Sequence, residues 1–235
     1  MIWCVLYSRR NREALSSTSE AAELVTPNEA TERPLTFPLS MLKQIKQSFR
    51  LLMNGEASRS MREKGLEYHL NWGVALPQLQ EMAKEYDKDL QLAIDLWKED
   101  IRECKIMATL IMPAEKMSRE LVDVWMEQTR SQEIAEIAVQ NLYAKLDFAP
   151  PLAFEWIADE RPLYQLCGYH ILSALFKQGI EPNERGINEL IDQVQVTLKE
   201  SDLPVKHAAI NCMNHFATLN VEYEHIVRQA LPDMF

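Results

Sequence analysis

Glycine is scarce, with six residues in a chain of 235. An all-β chain turns through frequent Gly-rich hairpins, so this scarcity argues against one, and no segment shows clear strand alternation. Cysteine is sparse as well. Cys4, Cys104, Cys167 and Cys212 lie far apart, with no CxxC pair and no Cys/His cluster at zinc spacing, so the simplest account is a reduced chain with no structural metal and no cofactor. Long apolar runs are missing too. The opening MIWCVLY is short, and its basic residues, Arg9 and Arg10, follow it; a secretory signal puts the charge first, and a membrane span needs roughly 20 apolar residues. The expectation is a cytoplasmic chain with no membrane attachment. Positive charge is also in short supply, 25 Lys and Arg against 35 Asp and Glu, giving a formal net charge of −10. Phosphate binding gains affinity from Lys and Arg that displace counterions, so indiscriminate binding to nucleic acid is disfavoured, while a local basic stripe stays open.

Leu, Met and Ala are plentiful, and from Pro38 onward apolar residues recur at intervals of three and four, the spacing of amphipathic helices. This predicts helices over about 39–53, 56–70, 77–86, 88–98, 100–111, 114–129, 131–146, 150–159, 162–178, 184–199, 203–217 and 220–231. Pro77, Pro113 and Pro162 fit first-turn positions, Gly55 and Gly179 fit helix ends, and Asp87 and Ser131 fit N-caps. Residues 1–38, rich in Ser, Thr, Glu and Pro, read as a disordered leader that need not be native, since Met41 is an equally good start. The helical domain is then 39–235, all-α, with short connections that favour antiparallel neighbours. Successive pairs have the length of helical repeats that stack into a solenoid, and periodicity alone leaves a compact bundle open.

The run NWGVALPQLQEMAKEYDKDLQLAIDLWKEDIRECKIMATLIM, residues 71–112, resembles the signature region of the DNA alkylation repair glycosylases, the AlkD-like proteins. Trp72-Gly73-Val74, Pro77, Ala83-Lys84, Leu96-Trp97 and Glu103 carry the likeness, which extends more weakly through PVKHAAINCMNHF at 204–216. The resemblance implies a curved, C-shaped superhelical stack of antiparallel HEAT-like helical pairs. Duplex DNA would lie in its concave face, lined by the helices that begin near Pro77, Ile101, Ser131, Pro162 and Pro204. It also implies hydrolysis of the N-glycosyl bond of N3- or N7-alkylated purines such as 3-methyladenine and 7-methylguanine. That chemistry needs an aromatic ring against the deoxyribose, a carboxylate to offset charge developing at the sugar, and an arginine on the phosphate.

Against that pattern the chain departs at the reacting positions. Gln132 and Glu136 stand where family members carry Trp and Asp four residues apart, one helical turn along the same face. Glutamate keeps a carboxylate but displaces it, and a misplacement of about 1 Å can cost roughly 100-fold in rate. Glutamine offers no aromatic face. The family's Arg-Arg pair aligns with Leu166-Cys167, and its Trp-Ala-Leu-Arg pattern with Cys212-Met213-Asn214-His215. The candidate catalytic residues are therefore Glu136 and Gln132, in a divergent member whose glycosylase activity is lost or altered.

The competing reading of Gln132 and Glu136 is a solvated first turn whose negative charge suits the helix dipole. Lys84, Arg102, Lys105, Arg161 and Lys206 are the candidate phosphate contacts, none reading sequence. Glu81, Glu85, Glu103 and Glu136 share their helices and weaken any basic groove. Trp97, Trp125 and Trp156 sit among aliphatics and read as core, Trp72 as a loop residue open to exposure, and Cys167 and Cys212 as buried thiols. His207 and His215 lack a close carboxylate or thiolate partner and make a poor metal site. Two functions remain: a monomeric repair-family protein on duplex DNA, or an acidic scaffold whose concave face binds a protein or peptide.

Overall fold

The computed structural model describes residues 37–66 and 68–232, so the expected leader lies outside them except for its last two residues. The domain is built from α1 (Phe37–Leu51), α2 (Gly55–Glu63), α3 (Leu76–Ala83), α4 (Leu90–Lys98), α5 (Arg102–Ile111) and α6 (Arg119–Glu127). It continues through α7 (Gln132–Asn141), α8 (Ala149–Ile157), α9 (Pro162–Lys177), α10 (Glu184–Glu200), α11 (Leu203–Ala217) and α12 (Val221–Ala230). There is no strand among the described residues, only an isolated bridge between Leu70 and Ile101. None of the described helices is long and apolar enough to cross a membrane.

Local chemistry explains where these helices begin. The side chains of Asn54, Ser118, Ser131, Asn183 and Asn220 each accept from a backbone N–H of the first turn that follows. Asp89, not Asp87, caps α4, accepting from the Leu92 N–H at 2.8 Å; the apolar spacing marks the helix but not which of two nearby aspartates starts it. Gly55 opens α2 directly after its Asn54 cap instead of closing α1. Pro77, Pro162 and Pro204 lie in first turns, where the missing N–H costs no hydrogen bond.

Packing gives the fold its order. α3, α5, α7, α9 and α11 lie side by side in succession as one layer, while α4 packs on α5, α8 on α9 and α10 on α11. This is the long-range helix-pair packing of a curved HEAT-like solenoid, not of a compact bundle. The layer is composed of the helices expected at the inner face. Trp97 of α4 stacks on Trp125 of α6 with ring centroids 4.1 Å apart and planes 1° from parallel. Trp156 of α8 meets Tyr143 and Tyr164 edge to face. All three tryptophans are buried, and such aromatic pairs add about 0.5–1.5 kcal/mol each beyond the area they bury.

Two departures from regular helix shape the surface. The helix expected over 56–70 stops at Glu63, and residues 64–66 and 68–75 run as a strap held by tertiary bonds. Gly65 takes φ +82° just past the helix. Arg102 N–H then donates to Leu70 O, Asn54 N–H to Trp72 O, and Ser58 Oγ to Asn71 O, so the strap's backbone pairs with its neighbours. At Gly73, φ is +71° and an added Cβ would collide with Asn54 O, so glycine is required twice over. Trp72 is half-buried, tilted against Phe49 at 5.5 Å. The second departure is after Asn141, where Leu142 leaves the helical region and Tyr143–Lys145 tighten into a 3-10 turn.

Candidate functional site

Gln132 opens α7, and Glu136 lies one turn on, so both project from one face of the helix. Gln132 Nε2 donates to Glu136 Oε1 at 2.7 Å. His170 Nε2 of α9 is 3.6 Å from the same oxygen. That contact, aided by the Gln132 amide, holds the Glu136 carboxyl below the usual carboxylate range against the opposing effect of partial burial. The carboxylate is 42% exposed and faces a cleft of about 270 Å³, closed on its far side by Leu203, Pro204, His207, Ala208 and Asn211 of α11.

Gln132 also lines a second and larger cleft, of about 1000 Å³, between the strap, the α4–α5 turn and the α6–α7 turn. Lys98, Lys105, Arg130 and His69 line it, with Asp100 and Glu127 as the acids. Lys105 Nζ sits 4.6 Å above the Trp97 ring and donates to the Trp97 carbonyl. Its pKa is lowered by burial and, in smaller part, by the nearby Arg130, while Asp100 pulls the other way. Lys105 shares the cleft with two other cations, Lys98 and Arg130. In a chain of net charge −10, a lining of three cations against two acids is locally positive, although Lys98 also pairs with Asp95 at 3.0 Å.

The strap wall is fixed by buried charge. Arg102 is 2% exposed, and its guanidinium grips Glu133 with Nη2–Oε1 of 2.6 Å and Nε–Oε2 of 3.0 Å, while Nη1 donates to Val74 O. Glu103, fully buried, accepts from the Trp72 and Val74 N–H groups. Tyr68 Oη donates to Glu133 at 2.7 Å and lies 2.8 Å from Ser131 Oγ. Burial alone would lower the Arg102 pKa and raise that of Glu133; their mutual hydrogen bonds and charges outweigh it and shift both the other way.

The five cations singled out from sequence therefore have different settings. Arg102 is inside the fold, its guanidinium committed to Glu133, Val74 and Glu103, and has no face toward solvent. Lys84 is exposed and paired with Glu81 at 2.5 Å. Arg161 pairs with Asp159 at 2.6 Å and lies over the Tyr164 ring at 3.5 Å. Lys105 lines the larger cleft, and Lys206 is half-buried on α11. Only Lys105 of the five is brought together with other cations in a cleft. Lys98 and Arg130, its companions, do not stand out in the sequence, because Lys98 ends the outer helix α4 and Arg130 lies in the turn before α7.

Leu166 and Cys167, aligned with the family's Arg-Arg pair, are both buried, and the α9 side chain that meets Glu136 is His170, one turn beyond Leu166. Cys212 and Met213 are likewise buried, and α11 presents His207 and Asn211 to the cleft instead. His170 and His207 each lie roughly one repeat of 30–40 residues beyond the preceding cleft residue, a periodic signal readable in the sequence. Burial raises the pKa of Cys104 to about 12 and those of Cys167 and Cys212 further, so none of the three is a reactive thiolate. No group of three or more metal-ligating side chains forms among the described residues.

Paired helices stacked in series, with a polar cleft across the open side of one layer, define a HEAT-like repeat protein. The chain belongs to the DNA alkylation repair enzyme family, whose model matches residues 45–213. A solved structure from "a new family of proteins related to the HEAT-like repeat DNA glycosylases with affinity for branched DNA structures" has the same fold. The TM-score is 0.72 at 19% identity, over 82% of this chain and 83% of that one. No curated protein matches the chain.

Proposed function

We propose that this protein binds DNA along its inner helix layer, with phosphates seated at Lys98, Lys105 and Arg130, and that it is not an efficient alkylpurine glycosylase. The observation that carries the reading is the cationic cleft itself, which stands against the sign of the whole chain and continues through Gln132 into the Glu136 cleft. Cations grouped in a concave surface focus the local potential even when the net charge is negative. Membership in a DNA repair family supports the same choice of ligand. The affinity of the structural relative for branched DNA belongs to that protein and only suggests which DNA shapes to test first.

Base excision is the weaker inheritance. A glycosylase site stabilises positive charge at the sugar with a carboxylate placed close to it. Here Glu136 Oε1 is already engaged by Gln132 and His170, and Gln132 supplies an amide where an aromatic face is needed. Fluorescence anisotropy with duplex and branched DNA across a salt series tests binding, and release of 7-methylguanine and 3-methyladenine from methylated duplex tests chemistry. Salt-sensitive binding without release is the expected result. Binding that does not respond to salt, or no binding, would move the reading to a scaffold for a protein or peptide.

A further inference from the structure

The smaller cleft differs from the larger one in kind. Its walls carry two amides (Gln132, Asn211), two imidazoles (His170, His207), one carboxylate (Glu136) and the apolar surface of Pro204, Leu203 and Ala208. No lysine or arginine lines it. Glu136 is ionised at neutral pH, so a phosphate placed here would meet an anion, while three cations wait in the neighbouring cleft. A metal ion would need a cluster of ligands that the described residues do not form. Leu203 is 65% exposed at the rim, an apolar surface left for something flat to cover.

On this basis, and resting on the DNA-binding reading above, we infer that the cleft takes a single unpaired nucleobase, whose Watson–Crick edge is read by the Glu136 carboxylate. Bases outside a duplex are recognised by stacking on rings or apolar side chains and by hydrogen bonds to that edge. Each requirement has a residue here. The imidazoles with Pro204 and Leu203 provide the stacking surfaces, and the amides of Gln132 and Asn211 provide further donors and acceptors. At about 270 Å³ the cleft lies just under the roughly 300–1,000 Å³ of drug-sized sites, which suits one ring system better than a whole nucleotide. Gln132 borders both clefts, so a base displaced from a strand held at Lys98, Lys105 and Arg130 lies beside its entrance.

The chemistry of Glu136 also selects among bases. An ionised carboxylate only accepts hydrogen bonds, and it has about four lone-pair sites. Oε1 faces Gln132 and His170, whereas no hydrogen bond to Oε2 is formed by the described residues. Guanine presents N1–H beside its amino group, two adjacent donors for one carboxylate. Thymine presents a single N3–H flanked by carbonyl oxygens that the carboxylate repels. The order expected is guanine above thymine, with the difference residing in Glu136.

The test compares three fluorescein-labelled duplexes of one sequence: fully paired, with a single bulged guanine, and with a single bulged thymine. Anisotropy with the full chain should give affinity for the guanine bulge about tenfold above that for the thymine bulge. Glu136→Gln should bring that ratio close to one, whereas Asn211→Ala, at an exposed position whose loss does not threaten the fold, should weaken binding of both bulges and leave the ratio in place. Equal affinity for all three duplexes overturns the nucleobase site while leaving DNA binding intact. No binding to any of them overturns both. A guanine preference that persists in Glu136→Gln also overturns it, because the discrimination would then come from elsewhere.

Discussion

Arg102 and Glu133 are 31 positions apart and hold each other through three contacts, Nη2–Oε1 at 2.6 Å, Nε–Oε2 at 3.0 Å and Nε–Oε1 at 3.1 Å, joining the first turns of α5 and α7. The pair is the anchor of the strap that walls the larger cleft, because Tyr68 of the strap donates to the same carboxylate and Val74 accepts from the same guanidinium. Removing the guanidinium leaves Glu133 and the fully buried Glu103 without their cation. Breaking a buried pair on one side costs about 3–5 kcal/mol, and the partial exposure of Glu133 puts this case near the lower figure. Arg102→Met should therefore lower the unfolding free energy by about 3 kcal/mol in urea titrations. A loss under about 1 kcal/mol would mean the strap is held by its backbone bonds instead.

The same pair sets an acid limit on stability. Arg102 holds the folded-state pKa of Glu133 below the usual carboxylate range, despite the burial that opposes it. A carboxyl depressed in the folded state adds stability that is fully present above its unfolded pKa and is lost as pH falls through the folded value. Stability should thus hold near neutral pH and decline from about pH 4.5 downward. Denaturant midpoints taken across that range for the parent and Glu133→Gln should show a shallower acid decline in the variant. Parallel curves would assign the acid sensitivity to other carboxyls.

Close helix approach rests on Gly168. A Cβ there would lie 2.7 Å from Ile157 Cγ2, 2.8 Å from Ala153 O and 2.8 Å from Ile157 N, two of the three being backbone atoms that cannot swing aside. Gly168→Ala must push α8 from α9, and overpacking of this kind costs about 1–3 kcal/mol. Alanine's better helix propensity returns at most about 1 kcal/mol, so the net effect is destabilising. Since His170 is two residues on, the variant should also weaken whatever binds beside Glu136, which a binding assay at a temperature well below unfolding would register.

How much of this was legible in the sequence depended on what makes each feature. Helices announce themselves by spacing, because burial of one face is a local, periodic demand, and each segment expected from Pro38 onward holds a helix, although 114–129 opens with a 3-10 turn at Ala114–Lys116 before its helix starts at Arg119, and 131–146 closes with one at Tyr143–Lys145. Residues 64–70 carry helical spacing too, yet they form the strap. Tyr68, Leu70 and Trp72 are drawn off by partners far along the chain, and no local pattern encodes Glu133 or Arg102 as those partners. Arg102 itself reads as an ordinary surface cation until its burial is seen. The cleft cations fail to show for the opposite reason. Lys98 ends α4 and Arg130 stands in the turn before α7, and only the stacking of one repeat on the next brings Arg130 to Lys98 and Lys105. His170 was readable as the next-repeat neighbour of Glu136, but an alignment to arginines drew attention to Leu166 and Cys167, which face the core.

The cationic cleft makes a quantitative claim about salt. Each phosphate neutralised on duplex DNA contributes about −0.9 to the slope of log affinity against log salt, so contacts at Lys98, Lys105 and Arg130 predict a slope of about −3. Arg130→Gln and Lys98→Gln should each lower its magnitude by about one and weaken binding to every DNA sequence alike, since phosphate contacts carry no base information. Lys105 is a poorer target. It also covers Trp97 and bonds its carbonyl, so its loss mixes packing with charge. Lys84→Gln is the matched control: Lys84 lies just past the end of α3 and outside the cleft, and like Lys98, whose ammonium meets Asp95 at 3.0 Å, it pairs with an acid three residues before it, Glu81. It should leave the slope within error. A slope that falls equally in all three variants would show that the DNA senses only net charge, and the cleft would then have no special claim on it.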